Sequence, residues 1–353
     1  MYFPDRKETC IMNRYVFFIL ALLFFPFSVH GDLFAPGNII FADPFYAPDG
    51  QIVELKVTGN EAAIINVVRW DLGDTDRRRA LGLDIDPAGT VFVGITAAFD
   101  PAPDNPYPEG IGEVLRIDKQ GKQTFYITDI IKVTFLAAIG TDEVIVNSNA
   151  ADGNLAYGYQ LGETDITRWT EFQKTSYGEA LKLPDGRIVM GDNGAPGIHI
   201  YDPAGGPPTG LFSLAAGADG NGRTVRSLTY NDHMGAVVAL LQNQHTLLRI
   251  NLDGEIEEEY DASLDGFTNL WGVAQIPGTT QFLVGNHDVA AMANTFGIYD
   301  ALNLAAGARL ITITSGFEQA GLAANTSFRS FFNMAVVPGA EIPVSVTEWE
   351  LHE

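Results

Sequence analysis

The stretch GEALKLPDGRIVMGDNGAPGIHIYDPAGG, residues 178–206, decides how the rest of the chain is read. Its short apolar opening run stops at Pro184-Asp185-Gly186, turn chemistry in which proline pre-sets one backbone angle and glycine accepts a positive φ. Residues 187–191 alternate polar and apolar, a polar loop with Asp192 and Asn193 follows, and residues 198–201 form a third short run closed by Asp202-Pro203 and two glycines. Strand, tight turn, strand, loop, strand is the order of one β-propeller blade.

The same order recurs on both sides. Innermost-type runs begin near residues 80, 133, 178, 226, 270 and 331, three of the five intervals within the roughly 40 to 50 residues typical of propeller repeats and two somewhat longer. Residues 38–69 supply three strands with no innermost strand before them. Residues 331–337, FFNMAVV, supply an innermost strand with nothing after it. The two remainders complete each other. They predict an all-β fold over residues 32–340, a six-bladed propeller of four-stranded antiparallel blades, closed by pairing the C-terminal strand (about 331–337) into the first blade. A large sandwich or a β-helix would hold such units too, but leaves an orphan strand at each end. Residues 341–353 lack repeat character and read as an exposed tail.

At 353 residues, with 46% hydrophobic and 18% charged side chains, the chain has the composition of a packed protein. A net charge of -23 argues against a nucleic-acid partner, because phosphate binding needs a Lys/Arg surplus. It is compatible with cations, neutral glycans, small molecules or a basic protein. Cys10 is the only cysteine, so a chain beginning at Asp32 would hold no disulfide, thiol nucleophile or zinc thiolate. The apolar run YVFFILALLFFPF (residues 15–27) follows Arg14 and precedes small residues at Val29 and Gly31. It reads as a signal peptide over residues 1–31 cleaved near Gly31-Asp32, with Met12 as an alternative start, and predicts a secreted or periplasmic protein. The run falls short of the ~20 residues of a membrane-spanning helix, and an uncleaved anchor is the alternative reading.

The phrases LGLDIDPAGTVFVG (residues 81–94), LPDGRIVMGDNG (183–194) and WGVAQIPGTTQFLVGN (271–286) resemble the repeats of NHL-type and SMP-30/gluconolactonase-like six-bladed propellers. The resemblance implies a divalent metal in the central channel, held by acidic and amide side chains at the start of innermost strands. Counted back from the turn proline, those positions here are Leu81, Trp271 and Phe332, which offer no oxygen donor to a hard cation. Glu179 is the acidic candidate nearest such a position. The related streptogramin-lyase-like propellers would imply a His-Gly pair at a strand start, and the sequence has none there.

Loops after the second strand of each blade, together with those between blades, should share one face over the channel, where binding groups are commonly grafted. They carry Asp43, Asn147, Asp192 with Asn193, Asn243, and Asn286-His287-Asp288. Asp43, Asp192, Asn193, Asn243, Asn286 and Trp271 are therefore the candidate ligand-binding residues. Glu179, Asp192 and Asp288 are candidate ligands for Ca²⁺ or another divalent cation, and Glu179, His287 and Asp288 are candidate acid–base groups. Asp and Asn also serve turns by bonding their own backbone, and adjacent strand residues face opposite ways, which separates His287 from Asp288. Two functions are compatible with these residues: an exported binding module working through its loop face, or a metal-dependent lactone hydrolase or lyase with a divergent site.

Overall fold

The computed structural model describes residues 32–339 except 44–49, 71–77, 98–111, 129, 131–132, 148–154, 174–177, 193–195, 215–222, 242–243, 288, 322–327, 329–330 and 332. The expected leader and tail, and the candidates Asn193, Asn243 and Asp288, lie outside the described residues. By internal contacts residues 1–32 form one unit and residues 33–353 another. All of the described strands belong to the second unit.

That unit is all-β. Strands β1 (Ile39–Asp43), β2 (Gln51–Thr58) and β3 (Glu61–Arg69) come first. Four consecutive runs come next: β4 (Arg78–Ile85), β5 (Val91–Ala97), β6 (Gly112–Ile117), β7 (Gln123–Ile127); β8 (Phe135–Gly140), β9 (Glu143–Asn147), β10 (Leu155–Leu161), β11 (Ile166–Gln173); β12 (Ala180–Lys182), β13 (Ile188–Gly191), β14 (Ile198–Tyr201), β15 (Gly210–Phe212); and β16 (Ser227–Asn231), β17 (Ala236–Leu241), β18 (Thr246–Ile250), β19 (Ile256–Asp261). The last strands are β20 (Leu270–Gln275), β21 (Gln281–Asn286), β22 (Thr295–Asp300), β23 (Arg309–Ser315) and β24 (Met334–Val336). Helical structure among the described residues is limited to 3-10 turns such as residues 262–265. No helix there is long and apolar enough to cross a membrane.

The tight turns repeat one geometry. The Gly89 N–H donates to the Asp86 carbonyl at 2.9 Å, Gly186 to Leu183 at 2.9 Å and Gly254 to Asn251 at 3.0 Å. These glycines have φ of 84°, 91° and 89°, the left-handed region that a turn-plus-bulge hairpin requires of its last residue. That requirement is why the repeat is visible in sequence.

Four of the sheets contain four antiparallel strands each, in sequence order. The sequence predicts six such sheets, but the described residues form five, because β20 to β23 and the run β3-β2-β1-β24 share one sheet of eight strands. Their junction is a parallel pairing of β23 with β3 (Thr312 opposite Glu61, Ile313 opposite Ala62). Both are outermost strands with open edges, and each satisfies the other's backbone groups, as in the Thr312 N–H bond to the Asn60 carbonyl at 3.1 Å. The closing strand pairs as expected, Ile39, Ile40 and Phe41 facing Val336, Ala335 and Met334. It is shorter than residues 331–337, since the Phe331 N–H goes instead to the Asn286 carbonyl at 2.8 Å.

Strand periodicity sends alternate side chains to opposite faces, and each face joins a different core. Ile39 and Phe41 pack with Leu283, Phe296 and Ile311 from β21 to β23. Ile40 and Ala42 pack with Val91, Val93 and Leu115 from β5 and β6. Phe92 turns away from Val91 and Val93 to meet Val144 and Val146, and Ile145 meets Ile188 and Met190. Val189 joins Val237 and Ala239, while Val238 and Leu240 join Phe282 and Val284. Among the described residues these clusters are six, each lying between consecutive strand runs. Middle strands such as β17 are consequently buried along their whole length, and read as unbroken apolar runs.

Candidate functional site

The innermost strands touch in a closed circuit: β4 lies against β8, β8 against β12, β12 against β16, β16 against β20, β20 against β24, and β24 against β4. Side chains stitch several seams. Asn333 Nδ2 donates to the Leu81 carbonyl at 3.2 Å, the Ala138 N–H to Asp84 Oδ2 at 2.8 Å, and Asn147 Nδ2 to the Gly178 carbonyl.

Leu81 and Trp271 are both skipped in the pairing register: Ala80 faces Ile95 and Gly82 faces Gly94, while Leu270 faces Asn286 and Val273 faces Val284. Such bulges insert an extra residue and re-aim a side chain. The start of β16 shows the same irregularity, since Leu240 faces Ser227 and also accepts the Arg226 N–H at 3.0 Å. Counting five residues back from Asp86, Gly140, Leu183, Asn231 and Ile276, which open the innermost turns, gives Leu81, Phe135, Gly178, Arg226 and Trp271. These are one position of the circuit seen in five strand runs.

Sequence reasoning misses Arg226 because its repeat turns through Asn-Asp-His-Met-Gly and has no proline to count from. It is only 4% exposed. Its guanidinium carbon lies 3.2 Å from the centre of the Trp271 ring and 5.6 Å from that of Phe135, both inside cation–π range. Phe135 on β8 and Trp271 on β20 come from strands three steps apart either way round the circuit of six. A group against both rings therefore lies across the axis. Gly178, on the intervening run, contributes no side chain to obstruct it.

Glu179 and His287 join the same neighbourhood. Glu179 Oε2 accepts the Ser227 hydroxyl and the Leu228 N–H, next in chain to Arg226. Desolvation pushes its carboxyl up to about 8, with a smaller upward push from the Asp84 charge, against the lowering effect of the Ser227 hydroxyl. Asp84 is pushed up to about 6, also mainly by burial. The His287 ring packs edge-on against Trp271, centroids 4.6 Å apart, and its main chain is held to Asn269 by the His287 N–H at 2.9 Å and Asn269 Nδ2 at 2.7 Å. Three residues singled out in sequence are thus linked to one that is not: Trp271 packs on the Arg226 guanidinium, His287 packs on Trp271, and the Glu179 N–H donates to the Arg226 carbonyl at 3.0 Å.

The other candidates sit elsewhere. Asp43 is buried and accepts Gln51 Nε2 at 3.0 Å. Asp192, 2% exposed, lies 3.4 Å from His199 Nε2 on the neighbouring β14. Asn286 donates to the Thr295 carbonyl at 3.4 Å and is fully buried. These residues end or follow second strands while still inside the sheet, so their polar groups bond adjacent side chains or main chain. Among the described residues no three His, Cys, Asp or Glu side chains converge as a metal-ligand set. With Leu81, Phe135 and Trp271 in the circuit and a guanidinium across its axis, the described residues do not fit the divalent metal of the resembled families.

Gly178 tests this geometry. A Cβ there would stand 2.1 Å from the Gly191 carbonyl oxygen, a main-chain atom that cannot swing aside. Gly178→Ala is expected to cost about 1 to 3 kcal/mol, read as a lower urea midpoint with unchanged slope. A midpoint equal to the parent's would show that the mouth is looser than described.

By sequence the chain matches no protein-family model and no curated protein. Among solved structures it is similar to a chain of a nidogen/laminin complex, with a TM-score of 0.58, 12% identity, and coverage of 85% of this chain and 98% of that one. A protein of unknown function from Bacteroides caccae aligns with a TM-score of 0.56 and 9% identity over 86% and 100%. Virginiamycin B lyase from Staphylococcus aureus gives 0.48 and 13% over 77% and 84%. The neighbours are propeller-like, and likeness at such identities shows the fold alone.

Proposed function

We propose that this chain is an exported six-bladed β-propeller that recognises a protein, glycan or small-molecule ligand through the loop face over its channel, without catalysis. The six-blade reading takes the eight-stranded sheet as two blades joined edge to edge by β23 and β3, and is supported by the circuit of innermost strands and the matching clusters of core. The leader-like run at residues 15–27 supports export.

One observation carries the binding reading: the axial position is filled by the Arg226 guanidinium between Trp271 and Phe135. A fixed positive charge there opposes a divalent cation. The alternative, a lactone hydrolase or lyase built from Glu179, Asp192, Asn286, His287 and Asp288, draws its support from Glu179, whose carboxyl is pushed by burial up to about 8, toward the range in which acid–base groups work.

Calorimetric titration of the purified protein with Ca²⁺, Mg²⁺, Mn²⁺ and Zn²⁺ separates the two. No saturable binding at millimolar metal is expected, and no turnover of a lactone panel. Stoichiometric binding that vanishes in Asp192→Ala would overturn the non-catalytic reading.

A further inference from the structure

We infer that the channel axis is a cation cage: Trp271 and Phe135 form a receptor for a flat, delocalised organic cation, which the chain fills with its own Arg226 and which accepts an external guanidinium group when Arg226 withdraws. The inference rests on the proposed function only for the place of the mouth.

The geometry is that of a ligand in a receptor. The guanidinium carbon stands directly over the Trp271 ring at 3.2 Å, with Phe135 at 5.6 Å from the opposite side of the circuit. Cation–π attraction grows when the pair is withdrawn from water, and Arg226 is almost wholly buried. Guanidinium suits the place better than ammonium, because it is flat and weakly hydrated. The surroundings favour positive charge as well. The whole chain carries -23, a field that draws cations toward its surface. Trp271, His287 and Glu179 are only partly buried, so the rim is open to solvent beside the filled centre. A partner offering an arginine side chain would meet the Trp271 ring at this rim and, once Arg226 withdraws, the buried Phe135 ring beyond it.

The probe is methylguanidinium chloride, titrated at constant ionic strength against sodium chloride into the wild type and Arg226→Ala, following tryptophan fluorescence and Tm. The variant is expected to bind methylguanidinium saturably, with one site and millimolar Kd, and to gain Tm over the sodium control. The wild type, whose cage is filled, should bind at least ten-fold more weakly, and Arg226→Ala/Trp271→Leu not at all. Should Arg226→Ala not fold alone, methylguanidinium during refolding must restore it where sodium does not. A folded variant indifferent to methylguanidinium, or an unfolded one not rescued by it, overturns the inference. Either result leaves the metal titration standing, and metal binding would leave this one standing.

Discussion

Ala335→Pro will open the ring. Ala335 faces Ile40 across the β24–β1 pairing. The bonds on either side, the Val337 N–H to the Asn38 carbonyl at 2.9 Å and the Ala42 N–H to the Asn333 carbonyl at 3.4 Å, place this pair at a hydrogen-bonded position of the antiparallel ladder. Proline removes that donor, and its ring has no room in a site that is 3% exposed. The damage spreads to both faces of the strand, because Met334 and Val336 belong to the core shared with β21 to β23, while Ala335 and Val337 belong to the core shared with β5 and β6. Losing those seats costs on the order of 4 kcal/mol or more, a large share of the ~5 to 15 kcal/mol that keeps a typical protein folded. A fall in Tm of roughly 10 °C is expected, with oligomers on size exclusion as the freed β1 edge pairs elsewhere. A peptide of residues 331–339 added in excess should recover part of the Tm. A variant as stable and monomeric as the parent would mean that β24 does not close the circuit.

That closure was readable because it comes from arithmetic on remainders: three strands without a first at one end, a first strand without its three at the other. The turns were readable for a different reason. Gly89, Gly186 and Gly254 occupy left-handed backbone that other residues rarely tolerate, so the chemistry of each turn had to be written into the chain. No local signal marks the pairing of β23 with β3, which joins residues some 250 positions apart along one edge. The site was legible only in part. Asp43, Asp192 and Asn286 have the composition of loop ligands, but a residue at the end of a second strand is still walled by neighbouring sheets, and its polar group is spent on main chain or an adjacent side chain. Arg226 looks like an ordinary charged residue before a strand. Only the shared position relative to the turns, common to Leu81, Phe135 and Trp271, sets it in the channel, and that alignment fails wherever a repeat lacks its proline.

Replacing Glu179 with glutamine should abolish a pH dependence of stability that the wild type carries between about pH 4.5 and 8. The carboxyl is pushed from 4.5 up to about 8 in the folded protein, chiefly by burial, so the folded state holds its proton where the unfolded chain has released it. Stability therefore falls as pH rises across that window and is level above it, since a carboxylate must then be kept where water reaches it poorly. The stabilising contribution is complete below about 4.5. Allowing for the water that does enter the mouth, the loss is on the order of 3 kcal/mol. Asp84, pushed from 3.8 up to about 6, adds a slope of the same sign over the acid half of the window, and mutual repulsion in a chain of -23 adds a broad one. The comparison of wild type with Glu179→Gln removes both backgrounds. Glutamine can still accept the Leu228 N–H and donate to Ser227, so the two proteins should have similar urea midpoints at pH 5 and diverge by pH 9, with the variant the more stable. Parallel curves would place the Glu179 proton outside this range and take away the acid–base support for a catalytic channel. Divergence would leave the enzyme reading alive only if the metal titration or the lactone panel also turned positive.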